Sequence, residues 1–244
     1  MLFFFGIKQA ELLRNVMTSN HLLQCIKIEP TLPAKRSIIW LHGLGADGND
    51  FVSLVPEFNL PHEYPIRFIF PHAPIMPITL NNGYEMRAWY DIHSLTSHHP
   101  VDKIGIAQSI ASISKLIDTE IASGITSTNI ILAGFSQGAA IAIMTGICYP
   151  QSLAGIIALS GYLPLVNATF DQTNPANRKT PIFIAHGTDD PIVPYIAGKT
   201  AGTLLQQAGY PISWHSYPMA HSVCAEEIKD IGEWIKTTLT KNIR

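Results

Sequence analysis

Apolar residues in this chain form short runs, separated by longer segments in which they recur every three or four positions. The short runs predict strands at residues 22–29, 37–41, 67–70, 129–133, 153–159, 181–185 and 213–217. The longer segments predict helices at residues 102–124, 137–148, 195–207 and 225–239. Most of the predicted strands are continuously apolar, which is typical of strands covered on both faces. The alternation therefore predicts an α/β fold with a mostly parallel central sheet and helices on both faces.

Two stretches between these elements lack a regular period. Residues 75–100 are irregular and contain Tyr84, Trp89 and Tyr90, so they predict a long loop. Loops of that length in a compact domain are usually lids or binding loops. Residues 167–180 are polar and contain proline, which predicts an excursion over the surface. Because no repeat, linker or low-complexity tract interrupts the pattern, residues 21–244 are predicted to form a single domain.

Residues 1–20 lie outside this pattern and are predicted to form a poorly ordered extension. The apolar run 2–7 is shorter than the roughly 7–15 residues of a secretory h-region, and no basic segment precedes it. A true start at Met17 and a short surface-docking segment are the alternatives. No run approaches the ~18 apolar residues of a membrane span, so no integral membrane segment is expected.

Composition and charge limit the kinds of molecule that the protein is expected to bind. The chain has 244 residues, of which 47% are hydrophobic and 14% charged, enough to bury a sizeable core. A formal net charge of −2 gives no electrostatic case for binding nucleic acid or an acidic membrane surface. Cys25, Cys148 and Cys224 are odd in number and lack zinc-site spacing, so neither a disulfide framework nor a metal site is expected. This cysteine usage suits a reducing compartment, and a cytoplasmic location is expected.

The strongest chemical signal is the pentapeptide G-F-S-Q-G at residues 134–138. It matches the G-x-S-x-G nucleophile elbow, in which a sharp strand-to-helix turn exposes a serine hydroxyl, here that of Ser136. The apolar run before it and the predicted helix after it supply the required strand and helix. An ordinary turn is the alternative interpretation, so the other groups of a serine hydrolase must also be found.

A serine nucleophile needs an imidazole to take its proton and a carboxylate to orient that imidazole. His221 is the best candidate base, because it follows the last predicted strand at the edge where parallel strands end. His42 and His186 close strands beside glycine and are predicted to brace loops. Asp189 and Asp190 are adjacent candidates for the acid, and their order in the chain does not choose between them. The order Ser, Asp, His is that of the α/β-hydrolases.

Seven ordered blocks along the chain carry a closer resemblance. They are LHGLGADG (41–48), RFIFPHAP (67–74), MRAWYD (86–91), GFSQGA (134–139), LSGYLP (159–164), HGTDDPIVP (186–194) and HSVC (221–224). In these motifs the chain resembles the phospholipase/carboxylesterase family of α/β-hydrolases, which includes bacterial-type carboxylesterases and acyl-protein thioesterases. The resemblance implies the α/β-hydrolase fold.

The resemblance also implies roles for particular residues. The acid is the aspartate before proline, which is Asp190 in this sequence. The backbone N–H groups of Leu44 and Gln137 are implied as oxyanion donors. The implied substrate-binding residues are Met86 and Trp89, on a loop that would form one wall of an acyl-binding groove. Leu163 is a further candidate, because the apolar segment that begins there could line a channel for an acyl chain. Ala220 departs from the family pattern, since glycine is expected before the histidine.

The implied reaction is acyl transfer to water through an acyl-serine, with no metal or organic cofactor. The leading hypothesis is a serine carboxylesterase acting on short- to medium-chain acyl esters. An acyl-protein thioesterase or lysophospholipase acting on long acyl chains is the alternative, with a lipid-like ester or acylated protein as substrate. A non-catalytic hydrolase-like binding protein is a third hypothesis, because fold does not dictate function. Family members are often monomers or homodimers, and we favour a homodimer.

Overall fold

The computed structural model describes residues 22–93, 101–164 and 173–240. Its strands are β1 (Cys25–Ile28), β2 (Arg36–Leu41), β3 (Ile66–Pro71), β4 (Ile75–Ile78), β5 (Tyr84–Arg87), β6 (Ile130–Phe135), β7 (Gly155–Leu159), β8 (Ile182–Gly187) and β9 (Ile212–Tyr217). Its α-helices are α1 (Lys103–Ala122), α2 (Gln137–Cys148), α3 (Tyr195–Gln207) and α4 (Ala225–Thr240). The predicted N-terminal extension lies outside the described residues.

A seven-stranded sheet forms the centre of the molecule, in the order β1-β3-β2-β6-β7-β8-β9. Strand β1 runs antiparallel to β3, and the other neighbouring pairs are parallel. The register pairs Leu41 with Gly134 and Phe135 with Leu159, so the carboxyl ends of neighbouring strands stand side by side. The prediction of a mostly parallel sheet is confirmed, and the sheet brings the motif-bearing loops to one edge.

Both faces of the sheet are buried, because alternate residues of each strand point to opposite sides. In β2, Ile38 and Trp40 pack in the cluster that contains Ile231 and Ile235 of α4. Ile39 and Leu41 belong to the cluster that α1 and α2 cover. A third cluster joins α2 and α3 to β7 and β8. The continuously apolar strands of the sequence are therefore explained by burial on two sides.

The predicted loop at residues 75–100 is wrong over its first half. Strands β4 and β5 form an antiparallel hairpin that pairs Ile75 with Arg87 and Ile78 with Tyr84. Asn82 and Gly83 supply the positive φ angles of its turn, at 54° and 78°. Both strands are short and mostly exposed, so neither carries the alternating or continuous apolar pattern by which strands are recognised. Residues 94–100 of the predicted loop lie outside the described residues.

The prediction that residues 167–180 run over the surface is wrong in part of its second half. Residues 165–172 lie outside the described part of the chain, but Asn177, which follows them, is fully buried. Its side-chain amide donates to the carbonyl of Tyr149 at 2.7 Å and accepts from the N–H of Leu153 at 2.9 Å. Asn177 is polar because it binds buried backbone groups, not because it is exposed. The sequence pattern does not distinguish these two reasons for a polar residue.

Candidate active site

Ser136 occupies the sharp turn between the end of β6 and the first residue of α2. Its φ of 54° and ψ of −118° lie in a region that residues with a side chain rarely adopt. A Cβ on Gly134 would collide with the backbone of Gly138, and a Cβ on Gly138 would collide with the end of β2. The two glycines of the motif are therefore needed for close packing around the turn, and the elbow has the strand–turn–helix context that it requires.

His221 lies between Ser136 and Asp190. Its Nε2 is 3.0 Å from Ser136 Oγ, and its Nδ1 is 2.7 Å from Asp190 Oδ2. The ring of Phe135 packs against the imidazole with centroids 4.7 Å apart. The structure thus brings together three side chains that are 85 and 31 residues apart in sequence. With Nδ1–H donated to the carboxylate, Nε2 is free to accept the serine proton.

The two adjacent aspartates have different environments. The side chain of Asp190 is fully buried, and its second oxygen, Oδ1, accepts the N–H groups of Ile192 and Val193 at 2.9 Å each. Asp189 is exposed and pairs with the hydroxyl of Thr188. Only Asp190 contacts the histidine, so the geometry selects the same aspartate as the family motif.

The glycine loop after β2 lies next to the nucleophile, since a Cβ on Gly43 would be 3.5 Å from the Cβ of Ser136. Within the described residues, neither the N–H of Leu44 nor that of Gln137 has a hydrogen-bond acceptor. Gln137 is the first residue of α2, where helix geometry leaves the N–H unpaired. The loop is fixed to the hairpin, since Gly45 N–H donates to the carbonyl of Arg87 at 2.9 Å. Free N–H groups beside a serine nucleophile are the chemistry of an oxyanion hole.

His42 braces this loop, as the sequence predicts. Its Nε2 accepts the N–H of Ala73 at 3.1 Å, which leaves the ring proton on Nδ1 to be donated to the carbonyl of Gly43 at 2.7 Å. Burial lowers the pKa of His42 below its ordinary value, and the hydrogen bond to Gly43 opposes that shift. The neutral ring therefore ties the glycine loop to the end of β3.

The side chain of Gln137 has a structural role that the sequence did not suggest. Its Oε1 accepts the N–H of Trp89 at 2.9 Å, and its Nε2 donates to the carbonyl of Tyr90 at 2.7 Å. The indole N–H of Trp89 in turn donates to the carbonyl of His42 at 2.9 Å. In the sequence, Gln137 is recognisable only as the residue after the serine of the motif. That position does not indicate that its side chain binds the backbone of Trp89 and Tyr90.

The three predicted substrate-binding residues have different positions. Met86 is half-buried beside the glycine loop, with its sulfur 3.6 Å from where a Cβ on Gly45 would lie. Leu163 is half-buried and packs against the cluster that contains Ala139 of α2. The side chain of Trp89 is only 1% exposed and supports the loop from behind. The side chains of Met86 and Leu163 are therefore partly accessible, whereas that of Trp89 is closed to solvent.

The described part of the chain offers neither a metal-binding cluster nor a membrane-spanning helix. Across residues 22–93, 101–164 and 173–240, no group of three or more histidine, cysteine or acidic side chains is arranged to hold a metal ion. In the same ranges, every helix is too short or too polar to span a bilayer.

Comparison with known proteins shows the family of this chain. The model of the Phospholipase/Carboxylesterase family matches residues 24–239, which is nearly all of the described chain. The chain belongs to this family. The predicted family, fold and class of enzyme, a carboxylic ester hydrolase, are confirmed.

Individual relatives carry two kinds of name. The chain is 40% identical over 215 residues to acyl-protein thioesterase 1 of Neurospora crassa, covering 84% of this chain and 87% of the relative. It is 35% identical over 209 residues to carboxylesterase SOBER1 of Arabidopsis thaliana, covering 84% and 92%. The crystal structure of SOBER1 superposes with a TM-score of 0.80 over 84% of this chain and 100% of that one. That of Zea mays acyl-protein thioesterase 2 gives 0.79 at 29% identity, over 88% and 99%.

Proposed function

We propose that the protein is a serine carboxylesterase that hydrolyses short- to medium-chain acyl esters through Ser136, His221 and Asp190. The observation that supports this most is the unbroken hydrogen-bond chain from Ser136 Oγ through His221 to the buried carboxylate, beside two unpaired backbone N–H groups. Those are the parts that acyl transfer through a serine requires.

In the proposed reaction, Ser136 Oγ attacks the ester carbonyl while His221 Nε2 takes its proton. The carbonyl oxygen becomes an oxyanion, which the N–H groups of Leu44 and Gln137 stabilise. His221 then gives the proton to the departing alcohol, leaving an acyl-serine. Water, deprotonated by the same imidazole, attacks the acyl carbonyl, and the collapse of the second tetrahedral intermediate releases the acid and free Ser136. Asp190 holds the ring orientation and stabilises the imidazolium throughout.

A thioesterase or lysophospholipase acting on long acyl chains is the second candidate. Two of the relatives described above are acyl-protein thioesterases. A lipid-like ester or an acylated protein is then the substrate, and the chemistry at Ser136 is unchanged.

The test is hydrolysis of p-nitrophenyl esters from acetate to palmitate by the wild type, Ser136→Ala and Ser222→Ala. Ser222 is an exposed serine beside the base and serves as the matched control. We expect rates to peak at short chains, to fall at least about 10³-fold in Ser136→Ala and to persist in Ser222→Ala. Rates that rise toward palmitate would favour the second candidate.

Labelling with a fluorophosphonate separates catalysis from mere binding. We expect covalent labelling of the wild type and none of Ser136→Ala, because the probe reacts with an activated serine. An unlabelled wild type that still binds esters would support the non-catalytic hypothesis instead.

We infer a cytoplasmic location and a homodimer as the working assembly. The free state of Cys25, Cys148 and Cys224 supports a reducing compartment. The homodimer rests on the family, whose members are often monomers or homodimers. Sedimentation equilibrium of the purified chain tests the assembly, and fractionation of the source cells tests the location.

A further inference from the structure

A second histidine, His186, lies close to the acid that binds His221. Its side chain is fully buried at the end of β8, and its Nε2 is 3.4 Å from Asp190 Oδ2. The same nitrogen is 2.9 Å from the carbonyl oxygen of Val193. The N–H of Val193 in turn donates to Asp190 Oδ1. One ring nitrogen thus contacts both the carboxylate and the peptide segment that binds the carboxylate.

The surroundings fix which nitrogen of His186 carries the proton. Nε2 faces two acceptors, a carbonyl oxygen and a carboxylate oxygen. Nδ1 is buried and has no hydrogen-bond partner in the described part of the chain. It lies against Gly198 of α3, where a Cβ would collide with the ring. A lone pair on Nε2 would face two oxygens, so the proton belongs on Nε2. It is donated to the carbonyl of Val193 at 2.9 Å, and the carboxylate oxygen lies 3.4 Å from the same nitrogen.

We propose that His186 is a positioning residue for Asp190, and that it acts by holding the carboxylate at the angle at which Oδ2 meets His221. The inference rests on the proposed function, in which Asp190 is the acid of the triad. Asp190 Oδ2 binds His221, and Oδ1 accepts two backbone N–H groups, one of them from Val193. His186 Nε2 lies 3.4 Å from Oδ2 and binds the carbonyl of Val193. Without the Nε2–H of His186, the peptide segment that binds Oδ1 loses its donor, and the carboxylate loses that restraint.

Three substitutions separate positioning from packing. His186→Gln places an amide N–H near the position of Nε2, His186→Asn places it near Nδ1, and His186→Leu removes it. We expect Leu and Asn to lower kcat about 10- to 100-fold with KM nearly unchanged, which is the range that a misplaced catalytic group costs. We expect Gln to restore most of kcat. Thermal unfolding of each variant shows which of them fold. If the Leu variant does not fold, the comparison of the Gln and Asn variants still tests the proposal.

A double-mutant cycle with Asp190→Asn gives the decisive readout. If His186 acts through the acid, removing its donor should have little further effect once the carboxylate is gone. Effects that multiply, or a Gln variant as slow as the Leu variant, would overturn the proposal and leave His186 as packing. Ser136→Ala is measured in parallel. Full activity in that variant would reject the proposed mechanism itself, a result distinguishable from any outcome at position 186.

Discussion

Gly187, the last residue of β8, packs directly against the backbone carbonyls of Met219 and Ala220, leaving no space for a side chain. The strand that leads to Asp190 therefore touches the loop that carries His221. The contact sets the spacing between acid and base through the backbone alone.

Gly187→Ala is expected to lower kcat about 100-fold, because the added Cβ must push the His221 loop away from the acid. The exposed neighbour Thr188→Ala is the matched control and should keep its rate within a small factor. Steady-state kinetics with a p-nitrophenyl ester measures both. A Gly187→Ala enzyme with wild-type kcat would show that the loop relaxes without moving the base.

Ala220→Gly is expected to change kcat less than about two-fold and to destabilise the fold by about 0.4–1 kcal/mol. Ala220 is exposed and does not have a positive φ, so its methyl group points away from the packed side of the loop without backbone strain. Glycine would mainly increase the conformational entropy of the unfolded chain. Urea unfolding and ester hydrolysis test the two parts, and a large gain in kcat with glycine would contradict the prediction.

Gln137→Ala is expected to destabilise the protein by roughly 2–4 kcal/mol, because it leaves the N–H of Trp89 and the carbonyl of Tyr90 buried without partners. It should also lower kcat, since the segment that supports the glycine loop is loosened while the backbone N–H of residue 137 is retained. Gln108→Ala, at an exposed position on α1, is the control. Unchanged stability in the first variant would mean that water replaces the amide.

The sheet, the helices and the candidate triad could be predicted because each depends on a local pattern. Continuous apolar runs identify buried strands, and the glycines around Ser136 identify the turn. Asp190 could be chosen over Asp189 only by resemblance, because burial and contact with a residue 31 positions away are tertiary properties.

The sequence did not predict the β4–β5 hairpin or the side chains that brace the site, and the reason is different. Strands β4 and β5 are exposed, so their sequence is not constrained by a buried face. Gln137 binds the backbone of a segment 48 residues away, and such a contact leaves no spacing in the sequence. His186 is near Asp190 in the sequence, but its contact with the carbonyl of Val193 depends on how the chain turns after β8. Trp89 was predicted to bind substrate by resemblance to the family, and burial of its side chain, which is 1% exposed, is a tertiary property that the sequence does not show.

Glu227, in the first turn of α4, is fully buried, and its two carboxylate oxygens make no hydrogen bond of normal geometry in the described residues. Burial raises the pKa of Glu227 from 4.5 to about 8, while the nearby backbone N–H of Cys224 lowers it and the Asp230 carboxylate raises it further. The folded protein therefore holds this proton over a pH range in which the unfolded chain has released it. Since the folded state binds the extra proton, stability is lost as the pH rises from 4.5 to about 8.

Glu227→Gln should remove this part of the pH dependence. Relative to the wild type, its free energy of unfolding is expected to increase by up to about 1.4 kcal/mol per pH unit across that window, and to level off above it. Glu226→Gln, an exposed carboxylate in the same turn, is the control and should follow the wild-type curve. Urea unfolding at closely spaced pH values measures all three proteins. Parallel curves for wild type and Glu227→Gln would mean that Glu227 is ionised in the folded state as readily as in the unfolded one.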